Sequence, residues 1–444
     1  MNSLNKNSDI ITALATPYGK SAVAVIRVSG NGCTELLSAF LEKPLKVGKL
    51  CVNKFTSGSF TENLMSVAYK APKSYTGEDV VELFPHGNQV ICDIIIKTLL
   101  QNGTRLAERG EFTKRALLNG KLNLLQCEAL ADIIDAQTAE QLEYGNKRYF
   151  GEFKALNDVQ ELIKSSLSSI EAVLHYSDEL EQNEIDGAEI DAVTATVNKA
   201  IGMLKSEIDG FAGGKIINEG FKVALIGAPN VGKSTLLNAL TESDRAIVTP
   251  IAGTTRDTID GDYVYNGRKF TVIDTAGLNE GTADQVEKIG IERAKRAAES
   301  ADAVVYVTDE RDINISKTSF SRFVTVKNKC DDQKDVGTDY IKAQIGDTIR
   351  LSAKNNINIT ALKQRLFELC PKDFGSICNH RQYDCVTRCL DSLVAAREES
   401  KKANGLEIVA ALLYEAYSAI LELYGEKADE NIISAVFDRF CVGK

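Results

Sequence analysis

The chain has 444 residues, 44% of them hydrophobic and 26% charged, with a formal net charge of −10 at pH 7. This length and composition predict two or three globular domains and exclude a long disordered tract. The net negative charge disfavours a protein that holds nucleic acid by itself through a broad basic surface. The sequence shows neither an apolar signal core nor an apolar run long enough to cross a membrane. We therefore expect a cytoplasmic protein with no membrane association.

Short apolar runs separated by Gly, Pro, Asn and Ser occupy the first part of the chain. We expect strands at residues 22–28, 50–55, 64–69 and 80–84, followed by a helix at residues 90–100. These elements predict an α/β domain that ends near the turn signal Asn-Gly at residues 119–120.

Apolar residues then recur at intervals of three and four from residue 123 to about residue 208, which is typical of long amphipathic helices. The acidic stretch at residues 178–186 is interpreted as a solvated loop within this part. The glycine-rich stretch GFAGG at residues 210–214 is expected to be a hinge-like linker to the next domain.

The motif GAPNVGKS at residues 227–234 follows an apolar run at residues 221–226 and precedes the helical segment TLLN. A strand, a glycine-rich loop and a helix in this order form a phosphate-binding loop, in which backbone N–H groups turn inward around the phosphates. Lys233 is expected to reach the outer phosphates, and the hydroxyl group of Ser234 to bind Mg²⁺. A glycine-rich surface turn is the alternative interpretation.

The motif NKCD at residues 328–331 follows an apolar run at residues 323–326. Its aspartate, Asp331, can accept hydrogen bonds from both the ring imino and the exocyclic amino group of guanine, a donor pair that adenine lacks. The motif SAK at residues 352–354 matches the loop that backs the base through backbone N–H groups. The nucleotide is therefore predicted to be GTP.

Two further motifs lie where a GTPase senses the terminal phosphate. DTAG at residues 274–277 ends an apolar run and would bring a carboxylate near Mg²⁺ and the Gly277 N–H near the phosphate. TTRD at residues 254–257 precedes it, where a threonine hydroxyl completes the Mg²⁺ shell only while the terminal phosphate is present. Residues 246–257 are therefore expected to act as a switch.

Leu278 stands where Ras-like GTPases carry the glutamine that orients the attacking water. Leucine cannot do this, so another group must position the water and another positive charge must stabilise the transition state. Asn230 and the loop TPIAGT at residues 249–254 resemble the potassium-dependent GTPases, in which an asparagine side chain and loop carbonyls hold K⁺ beside the phosphates. A loop-stabilising amide is the alternative role for Asn230.

The GTPase module is expected to end with a helix at residues 358–370, and further amphipathic helices are expected at residues 381–402, 406–424 and 429–440. The predicted fold class is α/β plus α, with the helices before and after the module packed into one split domain. Cys378, His380, Cys385 and Cys389 fit no standard zinc spacing and are interpreted as core residues.

Four domain segments are predicted: an N-terminal α/β domain at residues 1–120, a discontinuous helical domain at residues 121–217 and 374–444, and an inserted Ras-like P-loop GTPase domain at residues 218–373. Motifs outside the GTPase module carry a family resemblance. These motifs are ATPYG at residues 15–19, VIRVSG at 25–30, YTGEDVVEL at 75–83, RGEFT at 109–113, the run at 119–136 with GKLNL and EALADIIDA, and FCVGK at 440–444. From end to end, the chain resembles the MnmE (TrmE) family of tRNA modification GTPases.

The resemblance implies a homodimer whose N-terminal domains bind 5,10-methylenetetrahydrofolate, with 5-formyltetrahydrofolate as a bound analogue. It implies K⁺ and Mg²⁺ as cofactors, GTP as substrate, tRNA as a partner, and a heterotetramer with the flavoprotein MnmG, which uses FAD and NADH. Together such proteins install an aminomethyl or carboxymethylaminomethyl group on the wobble uridine of certain tRNAs, and GTP hydrolysis drives a conformational cycle.

Matched residue by residue, the resemblance implies a catalytic set and several binding sets. Catalytic roles fall to Glu287, which positions the water through an intermediary, and to Lys233 and Cys441. Folate contacts fall to Arg27, Glu82, Lys121 and Lys444; K⁺ ligands to Asn230, Thr249, Ile251 and Thr254; and Mg²⁺ ligands to Ser234 and Thr255. The expected GTP site comprises Asn230, Val231, Gly232, Lys233, Ser234, Thr235, Thr249, Pro250, Ile251, Ala252, Gly253, Thr254, Thr255, Asp274, Thr275, Ala276, Gly277, Asn328, Lys329, Asp331, Ser352, Ala353 and Lys354.

Cys441 is interpreted as a functional thiol that the preceding helix tethers in the folate site; a mobile tail is the alternative, and the last residues disfavour prenylation. Two other function classes remain open. A ribosome-assembly GTPase would share every nucleotide-binding motif, and a folate-dependent transferase would use GTP only for regulation.

Overall fold

The structure is a computed structural model that describes residues 9–177, 187–242, 259–274, 297–309, 322–331, 341–342, 347–402 and 406–444. The chain divides into two compact units. Unit 1 combines the residues up to 131 with residues 149–151 and 417–444, and unit 2 combines residues 132–148 with residues 152–416. Among the residues described, no helix has the length and apolar character that a membrane crossing requires.

Unit 1 contains a six-stranded sheet. Its strands are β1 (Ile10–Leu14), β2 (Ile26–Ser29), β3 (Cys51–Ser57), β4 (Phe60–Tyr69), β5 (Val80–Phe84) and β6 (Thr104–Leu106). The order across the sheet is β3-β4-β5-β2-β1-β6, and every pair is antiparallel except β1 with β6. The two central strands β2 and β5 carry Arg27 directly opposite Glu82, so the sheet itself brings this pair together.

Helices pack on this sheet and at its end. They are α1 (Cys33–Ser38), α2 (Gln89–Gln101), α3 (Glu111–Leu118) and α4 (Leu124–Asp135), whose last turn belongs to unit 2. Helix α2 begins where the side chain of Asn88 accepts a hydrogen bond from the N–H of Val90, and it buries Ile95 and Leu99 in the core with Ile26.

The last part of the chain returns to unit 1 through α11 (Leu406–Tyr424), whose last turns lie in unit 1, and α12 (Glu430–Phe437). Phe437 and Phe440 form a buried cluster with Leu124 and Cys127. Gly110 has φ 63°, and a Cβ on it would lie 2.9 Å from the Phe437 ring and 3.0 Å from Cβ of Phe440. This close approach brings the end of α12 against the start of α3.

The helical part of unit 2 contains α5 (Ala139–Tyr149), α6 (Lys154–Ser177), α7 (Gly187–Glu219) and α10 (His380–Glu399), and α7 packs against both α6 and α10. Cys385 and Cys389 on α10 are buried core residues, as expected from their spacing. The acidic stretch at residues 178–186 lies outside the described residues.

The expected linker at residues 210–214 is wrong, because these residues lie inside the continuous helix α7. The glycines serve close packing instead: a Cβ on Gly210 would lie 2.3 Å from the N atom of Gly375, and a Cβ on Gly213 would lie 2.1 Å from the main-chain oxygen of Asp373. The chain before α10 can therefore lie directly against α7, and this contact outweighs the low helix propensity of glycine.

The rest of unit 2 is built on a seven-stranded sheet with the order β12-β13-β11-β10-β7-β9-β8. Its strands are β7 (Phe221–Ile226), β8 (Ile259–Tyr265), β9 (Arg268–Asp274), β10 (Ala303–Thr308), β11 (Phe323–Lys327), β12 (Ile341–Lys342) and β13 (Asp347–Arg350). The inner strands are parallel, and β8 and β12 run antiparallel at the two edges.

Helices α8 (Lys233–Glu242) and α9 (Ile359–Glu368) bury Leu236, Leu240 and Leu362 in the core of this sheet. Because β7, β10 and β11 are parallel neighbours, their carboxyl ends lie at one edge. In doubly wound sheets this edge is where ligands bind. The motifs GAPNVGKS, NKCD and SAK each follow a strand that ends there, and DTAG begins at the last residue of β9.

Candidate functional site

The phosphate loop joins β7 to α8, as the sequence predicted. Gly227 has φ 152°, and a Cβ on it would lie 2.1 Å from the main-chain oxygen of Val307. Gly232 has φ 95°, and a Cβ on it would lie 2.4 Å from Nδ2 of Asn328. Both positions exclude a side chain, so the loop presents its backbone closely, as a phosphate cradle requires.

The first residue of α8, Lys233, points back into this loop. Its Nζ donates to the main-chain oxygens of Gly227 at 2.9 Å and Ala228 at 3.0 Å, and the residue is 7% exposed. The ammonium group is thus held at the start of the helix, where the helix dipole also favours an anion. Ser234 and Asn230 are exposed, and Asn230 has a left-handed φ of 64°. This arrangement fits a phosphate group with cations bound at its side.

Asn328 connects three parts of the nucleotide site. Its Nδ2 donates to the main-chain oxygen of Val231 at 2.8 Å, its Oδ1 accepts from the N–H of Ala353 at 3.0 Å, and its own N–H donates to Thr308 at 2.7 Å. The side chain is 4% exposed, so these bonds are shielded from water. The asparagine of the NKCD motif therefore fixes the phosphate loop relative to the base loop.

Asp331, which the sequence predicts to recognise the base, lies beside the SAK loop. Its Oδ1 accepts from Oγ of the buried Ser352 at 2.6 Å, while the Asp331 residue itself is exposed. Neighbouring Lys329 forms an ion pair with Asp309, and its hydrogen bond lowers the pKa of the Asp309 carboxyl group. The bond from Ser352 to Oδ1 therefore orients the Asp331 carboxylate, which remains open to a ligand from solvent.

Several predicted site residues lie outside the described residues. They are Thr249, Pro250, Ile251, Ala252, Gly253, Thr254, Thr255, Thr275, Ala276, Gly277, Leu278 and Glu287. Asp274 is the last residue of β9, where its main chain pairs with Leu225 of β7. The described residues bring together Asn230 to Thr235 with Asn328, Ala353 and their neighbours.

A second candidate site lies on the sheet of unit 1 around Arg27. Its Nε donates to Oε1 of Glu82 at 2.9 Å, and the two side chains are 21% and 16% exposed. The guanidinium carbon lies 5.3 Å from the ring centre of Tyr75 and 5.6 Å from that of Phe112. Burial raises the pKa of Tyr75, so its hydroxyl stays protonated beside the cation.

A cavity of about 360 Å³ opens beside this pair, within the size range of small-molecule sites. Burial, and then the nearby Glu82 carboxylate, raise the pKa of Tyr69 in its wall. Nζ of Lys121 donates to the main-chain oxygen of Pro72 at 3.1 Å. The cavity is lined by Tyr69, Lys73, Ser74, Tyr75, Val80, Glu82 and Lys121.

The segment Cys441–Lys444, here called the tail segment, lies next to Arg27. The N–H groups of Gly110 and Phe112 donate to the main-chain oxygens of Cys441 at 3.3 Å and Lys444 at 3.2 Å. Arg27 donates to the main-chain oxygen of Gly443 at 3.5 Å. The main chain of Lys444 therefore reaches the site, and the thiol-bearing Cys441 is exposed beside it.

The tail segment depends on glycine. Gly443 has φ 99°, and a Cβ on it would lie 2.3 Å from the main-chain oxygen of Leu14.

The sequence motifs YTGED and RGEFT marked this region, but the individual roles of Tyr75, Phe112 and Tyr69 were missed. Their pattern of aromatic residues near an arginine is visible only after the strands pair.

Comparison with known proteins gives matches along almost the whole chain. The family model described as "GTP-binding protein TrmE N-terminus" matches residues 10–121, and the one described as "MnmE helical domain" matches residues 124–441. The tRNA modification GTPase MnmE of Pseudothermotoga lettingae is 34% identical over 455 residues, which cover 98% of this chain and 100% of the relative. The protein of the same name from Lactococcus lactis is 34% identical over 460 residues, covering 99% and 100%.

Some solved structures resemble a part of the chain. The G domain of the T. maritima FeoB iron transporter is 22% identical and covers 34% of this chain and 99% of that one, with a TM-score of 0.24. This likeness is too low to add to the fold or the site described above.

Proposed function

The chain belongs to the MnmE (TrmE) family of tRNA modification GTPases, and on this premise we propose that it is a potassium-dependent GTPase that modifies tRNA. With a flavoprotein partner, it adds an aminomethyl or carboxymethylaminomethyl group to the wobble uridine, using a tetrahydrofolate one-carbon unit and GTP hydrolysis. The observation that carries this proposal is the coexistence in one chain of the Lys233 phosphate loop and of the Arg27–Glu82 pair, which lies beside a cavity and bonds to the tail segment.

The proposed organisation has an N-terminal folate-binding and dimerisation domain at residues 1–120, helical parts at residues 121–217 and 374–444, and a GTPase domain at residues 218–373. The protein acts as a homodimer, in a heterotetramer with MnmG and on tRNA, in the cytoplasm. A net charge of −10 supports the need for a partner in holding tRNA, since an acidic protein attracts phosphates poorly.

In GTP hydrolysis, each described residue has a distinct task. Lys233 leaves its carbonyl partners to hold the outer phosphates, Asn328 keeps the phosphate loop in register with the base loop, and Asp331 selects guanine. Mg²⁺ held by Ser234 and Thr255, and K⁺ held by Asn230, Thr249, Ile251 and Thr254, would supply positive charge near the transferred phosphoryl group. Glu287 then positions the attacking water through an intermediary.

In the one-carbon site, Arg27 and Glu82 offer a donor group and an acceptor group side by side, which suits the polar edge of a pteridine. Lys121 lines the same cavity and suits the carboxylates of the folate tail. Cys441 presents its thiol from the tail segment next to Lys444. A methylene-tetrahydrofolate would supply the one-carbon unit.

GTP turnover is expected to fall roughly 10- to 100-fold when sodium replaces potassium. This expected loss is smaller than the ~10³- to 10⁵-fold rate enhancement that an arginine supplies in other GTPases. Asn230→Ala should abolish the potassium effect and leave the nucleotide dissociation constant within about threefold, because the loop backbone and Lys233 remain. Steady-state turnover in both salts measures this. Asn238 is an exposed asparagine on α8. The variant Asn238→Ala is therefore the matched control and should keep the potassium effect.

The proposed function is tested by nucleoside analysis of tRNA from a strain that lacks this chain. One wobble-uridine modification should disappear and return with the intact gene, but not with Lys233→Ala, which removes the ammonium group from the phosphate loop. Normal tRNA together with defective ribosomes would favour the ribosome-assembly alternative. Full modification by Lys233→Ala would favour a folate-dependent transferase in which GTP only regulates.

A further inference from the structure

Helix α3 contacts three parts of the cavity region in unit 1 with neighbouring residues. The N–H of Phe112 bonds to the tail segment and its ring lies beside Arg27. Oγ1 of Thr113 lies 2.7 Å from the hydroxyl oxygen of Tyr75. Arg115 reaches the segment that carries Tyr75. Phe112 and Thr113 are 0% exposed and Arg115 is 2% exposed, so all three contacts are shielded from solvent.

Arg115 is a buried cation surrounded by carboxylates. Its Nη1 donates to both carboxylate oxygens of Glu78, at 3.2 and 3.1 Å, and its Nη2 donates to Asp9 at 2.9 Å and to Glu111 at 3.1 Å. A buried charge of this kind is costly unless every partner is well placed. The geometry of Glu78 is therefore tightly bound to that of Arg115.

Glu78 in turn holds the cavity wall at residues 74–79. Its Oε2 also accepts from Oγ of Ser29 at 2.8 Å, and that Oγ lies 2.8 Å from Oγ1 of Thr76. Its main-chain oxygen accepts from Oγ of Ser74. Ser74 and Tyr75 line the cavity, so a shift of Glu78 moves the wall that faces the ligand.

The charges around Arg115 determine the direction in which Glu78 would move if Arg115 were removed. Arg105 bonds to Asp9, Glu111 and the main chain of Leu106, and its side chain is 39% exposed. Without Arg115, Glu78 would face Asp9 and Glu111 with one cation fewer, and like charges at short range repel. The repulsion would push Glu78, and the wall with it, away from α3.

We propose that Arg115 is a positioning residue for the one-carbon ligand, acting through Glu78 to fix the wall that contains Tyr75. This inference rests on the proposed folate site, and it assigns to α3 the task of holding that site in its binding shape. Neither Arg115 nor Glu78 is needed to touch the ligand.

Binding of 5-formyltetrahydrofolate to the full chain, measured by calorimetry, tests this proposal. Arg115→Gln should weaken binding about tenfold, since a misplaced cavity wall loses several contacts at once. Arg105→Gln is the matched control: it removes a cation from the same cluster without touching Glu78, and should stay within about threefold of the parent. Arg115→Lys should recover binding only in part, because an ammonium group lacks the planar fork.

A second substitution separates positioning from general stability. In the Arg115→Gln background, Glu78→Gln removes the repelled carboxylate and should restore binding to within about threefold of the parent, which a loss of stability alone would not allow. If Arg115→Gln does not fold, Arg115→Lys carries the test: it keeps the charge, loses the planar fork that reaches both oxygens of Glu78, and should still weaken binding severalfold.

Parent-like binding by Arg115→Gln, or an equal loss in Arg105→Gln, would overturn the positioning role and leave the folate site standing. Parent-like binding by Arg115→Lys, where that variant replaces a misfolded Arg115→Gln, would do the same. Absence of binding by the parent chain itself would overturn the folate site together with the inference that rests on it.

Discussion

Asp331→Asn is expected to lower the affinity for GTP by about 10³- to 10⁴-fold and to raise the affinity for xanthosine triphosphate. The substitution exchanges an acceptor for a donor on the group that faces the base edge, so the guanine donors lose their partner while the xanthine carbonyl gains one. Ser352 still contacts the residue at Oδ1, which keeps the side chain in place. Titration with fluorescent analogues of both nucleotides measures the two affinities.

The matched control for this change is Asp373→Asn, the same substitution at an exposed residue in unit 2. It should leave both affinities unchanged, because its side chain has no role in the proposed base site. Unchanged GTP binding by Asp331→Asn would show that the base binds elsewhere and would remove the guanine assignment.

Cys441→Ser is expected to abolish tRNA modification while GTP turnover stays within about twofold of the parent. The tail segment is held through the main-chain oxygens of Cys441 and Lys444, bonds that a serine preserves. The loss would then isolate the thiol, which is a far better nucleophile than a hydroxyl at neutral pH. Nucleoside analysis of tRNA and phosphate release in potassium measure the two activities.

Val442→Ala provides the control within the same segment, because Val442 is 49% exposed and its main chain makes the bridge to Arg109. It should keep both activities. Normal modification by Cys441→Ser would leave the tail segment only its structural contact with Arg27 and withdraw the catalytic role of its thiol.

Strands β7 and β11 were predictable because each is a short apolar run directly before a diagnostic loop. Strand β7 lies at residues 221–226, as expected, and β11 extends the expected run by one residue. Strands β1 and β6 were missed, since each has few residues and the two pair in parallel across about 90 residues of sequence. A pairing of this kind leaves no local signal.

The glycine stretch at residues 210–214 shows where local propensity gave the wrong result. Glycine weakens an isolated helix, but here its missing Cβ admits the main chain of residues 373–375 at contact distance. No residue close to this stretch in the sequence indicates that residues 373–375 pack against it. The interpretation of glycine as a linker or as a packing surface depends on the tertiary partner.

The charged residues of the proposed one-carbon site came from the family resemblance and not from periodicity. Once β2 and β5 pair, Arg27 faces Glu82, and this register explains why both positions carry charge. The contribution of α3 could not be predicted, because Thr113 meets Tyr75 across 38 residues and Arg115 meets Glu78 across 37. Such contacts exist only in the folded chain.

The contact between Arg27 and Gly443 also sets the time at which this site is finished during synthesis. A ribosome that adds about 5–20 residues per second needs roughly 20 to 80 s to extend the chain by the 416 positions that separate the two. Strands β2 and β5 can pair early in this interval, before the tail segment has been translated. A nascent chain that has not yet reached Gly443 can therefore carry a folded sheet and still lack the carbonyl group that Arg27 contacts, so the Arg27 site forms later than the sheet that carries it.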